Sequence, residues 1–254
     1  MNKKIKTWNF KIININNFIL FLKKFKMVDK SVILELEGNN LFGKINTIDK
    51  SVIKYVSINI NDVFEGELPQ TRLKIGILDL SKLIDVFKYF GNEETLNILI
   101  DSEPYENELI ATKISFYNSF INIFIKCSDI SLISYINDKI QQNVHSIENF
   151  EINFKFSKEN FQKLASLTNI DTNPEEFLNF NIQEKEIKIQ GDSFQYQIKD
   201  KEINGFKESK TYTIYKKQFS FIDLEDSEIY FHDNRILIKS IETNSIIAIG
   251  LIEF

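Results

Sequence analysis

FKFSKENFQKLASLTNIDTN, residues 154–173, holds a short strand, a capping residue and an amphipathic helix in direct succession. Phe154 and Phe156 alternate with Lys155, the period of a half-buried strand. Ser157 stands where an N-cap is needed, although Asn160, not Glu, occupies the capping-box position. Phe161, Leu164, Ala165 and Thr168 then fall on one helical stripe at i, i+3, i+4 and i+7. The same order opens the chain in FKIININNFILFLKKFK, residues 10–26. There Phe10-Lys11-Ile12 is the strand, Asn14 the cap, and Phe18, Phe21, Leu22 and Phe25 the stripe. A hairpin follows each helix, one turning at Asn39-Asn40 and the other at Gln183–Lys185. Later in each half a strand runs into a second short helix: 73–80 into 81–90, and 211–214 into 215–221. The chain therefore reads as a weak internal duplication.

Outside these helices the dominant period is two. In the first half, strand-like alternation covers 31–37, 52–60, 73–78, 96–100, 109–116 and 120–126. In the second it covers 150–156, 177–182, 186–190, 194–198, 211–214, 228–231, 236–241 and 246–252. Strands bounded by Asn, Asp and Gly are the mark of antiparallel sheet. With about two helices per half, the expected class is α+β, helices lying on one sheet face. The expected division is an N-terminal domain over 1–127, a connection over 128–147 and a C-terminal domain over 148–254. The connection is more polar and less regular than its flanks.

Composition narrows the function. The chain has 254 residues, 43% of them apolar, enough for a packed core. Three prolines and eight glycines leave little room for long linkers. One cysteine, Cys127, permits no internal disulfide, so a reducing, cytoplasmic setting is expected. The basic start at Lys3, Lys4 and Lys6 precedes only a short apolar patch, 18–22, with no small-residue cleavage site, and no apolar run is long enough to span a bilayer.

The net charge is −5, yet the helices gather lysines. Opposite or beside the apolar stripes stand Lys23, Lys24 and Lys26 in the first helix, and Lys82 and Lys88 in the second. Lys158 and Lys163 do so in the third, and Lys216 and Lys217 occupy the short fourth helix. Sparse lysines without arginine or aromatic base-readers suit attraction to phosphates, not sequence readout.

Catalytic patterns are not apparent. There is no glycine-rich phosphate loop, HExxH or GxSxG motif. His145 and His232 are too far apart for a spacing motif and read as surface or loop residues. Glu35/Glu37 and Glu106/Glu108 read as solvated carboxylate pairs, Cys127 as a small buried or interfacial residue, and Trp8 as a packing residue. Neither a metal site nor a cofactor is expected.

Two stretches resemble the sliding DNA clamps, in particular the trimeric clamp of T-even bacteriophages. One is INDVFEGE, residues 60–67, leading into IGILDLSKLIDVFKYF, residues 75–90. The other is FKFSKENFQKLASLTNIDTN followed by FNIQEKEIKIQG, residues 180–191. The family similarly has a strand ending in Asp-Leu before an apolar helix, and a capped helix before a hairpin ending in Gly. The resemblance implies two similar domains per subunit and a homotrimeric ring, with the helices lining a hole that encircles duplex DNA. It implies tethering of a replicative DNA polymerase without catalysis, loading by a clamp-loader ATPase, and work in the cytoplasm of an infected bacterium. Partner peptides would dock in an apolar pocket near the connection and residues 246–254. The competing expectation is a β-rich virion or tail protein, and a weaker one a metal-dependent nuclease, suggested only by the abundance of acids.

Overall fold

The computed structural model describes residues 5–90, 96–170, 173, 176–199 and 202–252. Lys3 and Lys4, part of the 154–173 stretch and the last two residues of the 246–254 segment lie outside them. The chain forms two compact units, Met1–Asn46 with Tyr55–Ile136, and Thr47–Lys54 with Asn137–Phe254.

The first unit holds β1 (Lys6–Ile12), α1 (Ile15–Lys26), β2 (Val32–Glu37), β3 (Asn40–Asn46) and most of β4 (Val52–Asn59). It continues with β5 (Phe64–Gly66), β6 (Leu73–Ile77), α2 (Leu80–Lys88), β7 (Leu96–Tyr105), β8 (Glu108–Tyr117) and β9 (Asn122–Lys126). The strands follow the order β4-β3-β2-β6-β8-β7-β1-β5. β6–β8 is a parallel pair, through Leu73↔Leu109 and Lys74↔Ile110. Beyond it β8 leaves β6 and pairs with β9 instead, over Lys113↔Lys126 to Tyr117↔Asn122.

The helices start where the local chemistry dictates. Asn14 Oδ1 accepts from the Asn17 amide at 3.0 Å, and Asp79 Oδ1 from the Lys82 amide at 3.1 Å. The sequence placed the second helix one residue late, because Leu80 was read as the end of a strand. Phe18, Phe21, Leu22 and Phe25 are all buried against the sheet. Phe18 meets Phe87 of α2 edge-on with centroids 5.5 Å apart, which ties the two helices together. Phe25 lies so close over β3 that a Cβ on Gly43 would come within 2.8 Å of its ring.

The other face of this sheet is covered too. Residues 127–136 run back across it, with Ser128 N–H donating to Gly76 O at 2.9 Å and Ile133 and Ile136 buried. A side chain at Gly76 would sit 2.5 Å from Ser128 O, so the crossing requires glycine. This cover corrects the reading of Glu35. It is 0% exposed, with Lys44 Nζ at 3.6 Å and an Arg72 nitrogen at 3.3 Å, instead of facing water. Its alternation with Leu34 and Leu36 is real; what covers the outward face is remote in sequence. Glu37 stays partly exposed and pairs with Arg72, and Glu108 pairs with Lys74 at 2.7 Å.

The second unit contains α3 (Asp138–Val144), β10 (Ile152–Phe156), α4 (Lys158–Thr168), β11 (Phe177–Gln183), β12 (Glu186–Gln190) and β13 (Gln195–Ile198). β14 (Lys210–Tyr215), α5 (Lys216–Phe219), β15 (Ser227–His232), β16 (Arg235–Ser240) and β17 (Asn244–Gly250) complete it. One sheet has the order β13-β12-β11-β14; the other contains β10-β15-β16-β17. Residues 47–54 join this unit, with Gly250 N–H donating to Ser51 O at 2.8 Å and Lys54 Nζ meeting Asp223 at 2.7 Å. The expected cap of α4 is present, Ser157 Oγ accepting from the Asn160 amide at 3.3 Å. Phe161 touches Phe156 at 4.5 Å and Phe219 of α5 at 6.2 Å, so a phenylalanine pair links the helices here as well.

The element order exposes a finer repeat than the sequence did. Strand, helix and a three-stranded meander occur four times: β1-α1-β2-β3-β4, β6-α2-β7-β8-β9, β10-α4-β11-β12-β13 and β14-α5-β15-β16-β17. Each unit is thus itself a pair.

Candidate nucleic-acid interface

The helices present most of the predicted lysines to solvent. Lys23 and Lys26 of α1, Lys82 and Lys88 of α2, and Lys158 and Lys163 of α4 are exposed; Lys24 is half-buried. Lys217 is half-buried, with its ammonium 5.1 Å from the Tyr215 ring centroid. Lys216 differs. It is 8% exposed and bonds Glu176 at 3.0 Å, which corrects its assignment to the outer face. α5 is a single turn, and membership of so short a helix does not tell an inward from an outward lysine.

Within the first unit the lysines converge. Asp85 bonds Lys88 at 2.7 Å and also feels the charge of Lys26, so α1 and α2 bring Lys26 and Lys88 around one carboxylate. Those contacts hold the Asp85 carboxyl below the usual range and raise Lys88. In the second unit Lys163 bonds Glu159 at 2.7 Å. Both pairs are solvent-exposed ion pairs, which hold their partners weakly and exchange them readily. α1 carries Lys23, Lys24 and Lys26 in its last turn and no acid in its first. Cations there also offset the negative end of the helix dipole.

Cys127 and the two histidines lie in the interior. Burial pushes the Cys127 thiol up to about 12, so it remains protonated at neutral pH. His145 and His232 are 7% and 5% exposed, not the surface residues expected. His145 caps α3, its Nε2 lies 3.2 Å from Ile53 O, and burial pushes its pKa down to about 4. Trp8 packs in the core and donates to Ser102 Oγ at 3.1 Å, as a packing residue would. Among the described residues no group of three or more His, Cys, Asp or Glu could hold a metal, and no helix is long and apolar enough to cross a membrane.

Two further features escaped the sequence reading. Among the described residues β9 pairs with β8 alone, and it carries Phe124 at 71% exposure; Phe120, in the turn before it, is 92% exposed. The signal was present in 120–126, where Phe120 and Phe124 stand on the face opposite Ile121, Ile123 and Ile125. β13 forms the matching edge of the second unit, and beside it Leu167, Ser166 and Tyr196 line a shallow recess of about 510 Å³. A larger cleft of about 810 Å³ opens in the first unit near the parting of β6 and β8, lined by Lys74, Ile110, Thr112, Cys127 and Tyr135 among others.

This architecture, two β-rich units built from four strand–helix–meander modules, is the sliding-clamp fold. The Proliferating Cellular Nuclear Antigen of Entamoeba histolytica superimposes with a TM-score of 0.68 at 10% identity, covering 97% of this chain and 99% of that one. The DNA polymerase III beta chain of Streptococcus pneumoniae gives 0.66 at 16% identity, over 97% of this chain and 65% of its own. A Helicobacter pylori beta clamp, solved with a DNA ligase peptide, gives 0.64 at 10%, over 98% and 67%. The chain thus spans about two thirds of these bacterial clamps and nearly all of the Entamoeba protein. No protein family and no curated protein matches the sequence.

Proposed function

We propose that the chain is a sliding clamp: three copies close into a ring around duplex DNA and tether a replicative DNA polymerase. The observation that carries this reading is the agreement in fold with a Proliferating Cellular Nuclear Antigen over almost the full length of both chains. The T-even resemblance of residues 60–90 and 154–191 adds the trimer, the clamp-loading ATPase and the cytoplasm of an infected bacterium as setting. Two units per copy and three copies give six in the ring.

The edges of the sheets support closure. β9 of one copy pairs with β13 of the next, head to tail, and the pairing repeats until the ring shuts. Phe120 and Phe124 then leave water, and the recess beside Tyr196 and Leu167 lies next to the receiving edge. An unpaired, apolar edge is otherwise an aggregation hazard. DNA passes the exposed lysines Lys23, Lys26, Lys82, Lys88, Lys158 and Lys163, with Lys24 and Lys217 at the flank. Their contacts are non-specific, salt-sensitive and individually weak, as sliding demands. Topology, not affinity, keeps the polymerase at high effective concentration.

The test is topological. The protein is loaded on nicked circular DNA by a clamp-loading ATPase, washed at high salt, and the circle is then linearised. Retention on the circle with release after cutting is expected. Release from circles and linear DNA alike would defeat the proposal.

A further inference from the structure

Residues 203–206 lie against the free edge of β10, and one bridge holds them there. β10 ends the order of its sheet, and Asn153 pairs with Tyr230 of β15 on one side. On the other side Asn153 meets Asn204, in the single isolated bridge among the described residues. The Asn153 amide donates to Asn204 O at 3.0 Å, and the Asn204 amide to Asn153 O at 2.9 Å. The side chains repeat the contact, Asn204 Nδ2 donating to Asn153 Oδ1 at 2.8 Å. Ile203 and Phe206, on either side, pack partly buried against the core of the unit. Gly205 turns the chain at φ +77°, and a Cβ there would collide with Glu151 O, so only glycine can follow Asn204.

The fold thereby fixes an Asn-Gly step, and the chain has no other. Both residues are exposed, and among the described residues the Gly205 N–H meets no acceptor. We propose that Asn204 is a site of spontaneous deamidation, and that the reaction unlatches residues 203–206 from β10. Gly205 N gives its proton to hydroxide and attacks Asn204 Cγ. The new N–Cγ bond closes a five-membered succinimide as the Cγ–Nδ2 bond breaks and ammonia leaves. Water then opens the ring at either carbonyl, giving aspartate or isoaspartate, with no change of oxidation state. Glycine favours the attack because no side chain shields its nitrogen.

Either product breaks the latch. A carboxylate oxygen replaces the Nδ2 donor, so acceptor meets acceptor at Asn153 Oδ1. Asn153 is itself held against the Tyr230 hydroxyl, which donates to Glu228 at 2.6 Å. Isoaspartate also adds one atom to the backbone between Ile203 and Phe206, so the bridge and both apolar anchors no longer keep register. β10 is then left as an uncovered edge, open to pairing with another chain. The two Asn-Ser steps are better protected. Asn118 Oδ1 accepts from the Phe120 and Ile121 amides at 2.9 and 2.7 Å, which holds its side chain. After Asn244, the Ser245 N–H is engaged by Thr243 O at 2.8 Å.

The test incubates the full chain in mildly alkaline buffer made with heavy-oxygen water, and follows it by peptide mass spectrometry and hydrogen exchange. Asn204 should convert ahead of every other asparagine, taking up one heavy oxygen and yielding both aspartate and isoaspartate. The Asn153 amide should lose its protection in step with that conversion. Asn204→Gln, whose longer side chain must close a less favourable six-membered ring, should keep its mass and its Asn153 protection over the same period. An unconverted Asn204, or earlier conversion of Asn118 or Asn244, would overturn the site. Full conversion with Asn153 still protected would overturn the latch. The time course is read on the unmodified chain, so it does not depend on a variant that folds poorly. It is likewise independent of ring closure, which molecular mass reports separately.

Discussion

At the scale of single residues, burial of ionisable groups dominates. His145 is neutral in the folded protein, with its pKa at about 4 against 6.5 for an unperturbed histidine. A depressed base binds fewer protons folded than unfolded between those values. Its full stabilising contribution is therefore present above the unfolded value, and it is lost as pH falls toward 4. The difference amounts to about 3 kcal/mol. We expect His145→Gln to be less stable than the parent at pH 7.5, with the gap closing by pH 4.5, in urea unfolding at both values. A constant gap would show that His145 does not protonate on unfolding. Glu35 gives a second case. It lies fully buried near Lys44, itself buried, and Arg72. Lys44→Ala should cost about 3 kcal/mol, because it leaves the buried Glu35 with Arg72 as its one remaining cation of the two; a loss under 1 kcal/mol would mean that water or Arg72 compensates the site. Neither residue was legible in the sequence. Alternation reveals which residues share a face, but not that residues 127–136 return to cover the second face, nor that a loop histidine packs against the backbone of Ile53.

At the scale of elements, local chemistry was readable and tertiary cover was not. α1 and α4 were legible because cap and stripe are encoded within a dozen residues. Asn14→Ala should lower stability by about 1 kcal/mol, measurable by thermal unfolding; no change would indicate that tertiary packing alone fixes the start of α1. β3 was implied by the hairpin at Asn39-Asn40 but not given a range. Its outward face carries Phe42, Lys44 and Asn46, and its inner face is interrupted by Gly43, so neither alternation nor composition marks it. Lys44 is buried there with its ammonium 5.6 Å from the Tyr135 ring centroid. α3 is similarly obscure, since none of its own residues is buried and His145 seats its end. The edge strand β9 was seen as a strand but not as an edge, because edges are defined by topology. Phe124→Asp places a charge on that edge while leaving the buried face of β9 intact. If the proposed trimer closes through β9, light scattering should give trimers for the parent and monomers for the variant, with unchanged far-UV circular dichroism. Trimers persisting in Phe124→Asp would remove β9 from the subunit interface.

At the scale of the whole molecule, the proposed ring requires an acidic chain to meet DNA on its helices. The twofold duplication was legible, since Phe154–Phe161 repeats Phe10–Phe18. The fourfold repetition was only half legible: all four strand–helix starts were read, but the meander that follows each was not, because only topology groups those strands. The lysine pattern was legible only where a helix is long enough to keep its stripe, which is why Lys23, Lys88 and Lys163 are exposed and Lys216 is not. The pairs Lys88–Asp85 and Lys163–Glu159 are solvent-exposed, so phosphates can compete for those ammonium groups with little loss of fold stability. Reversing Lys23, Lys88 and Lys163 to Glu should leave the mass of the ring unaltered while shortening the products of the tethered polymerase. The defect should be largest at low salt and shrink toward about 0.15 M, where screening confines attraction to within roughly 8 Å. Product length identical to the parent at both low and moderate salt would place the DNA path away from these helices. A defect independent of salt would point to damaged loading or closure instead of lost phosphate attraction.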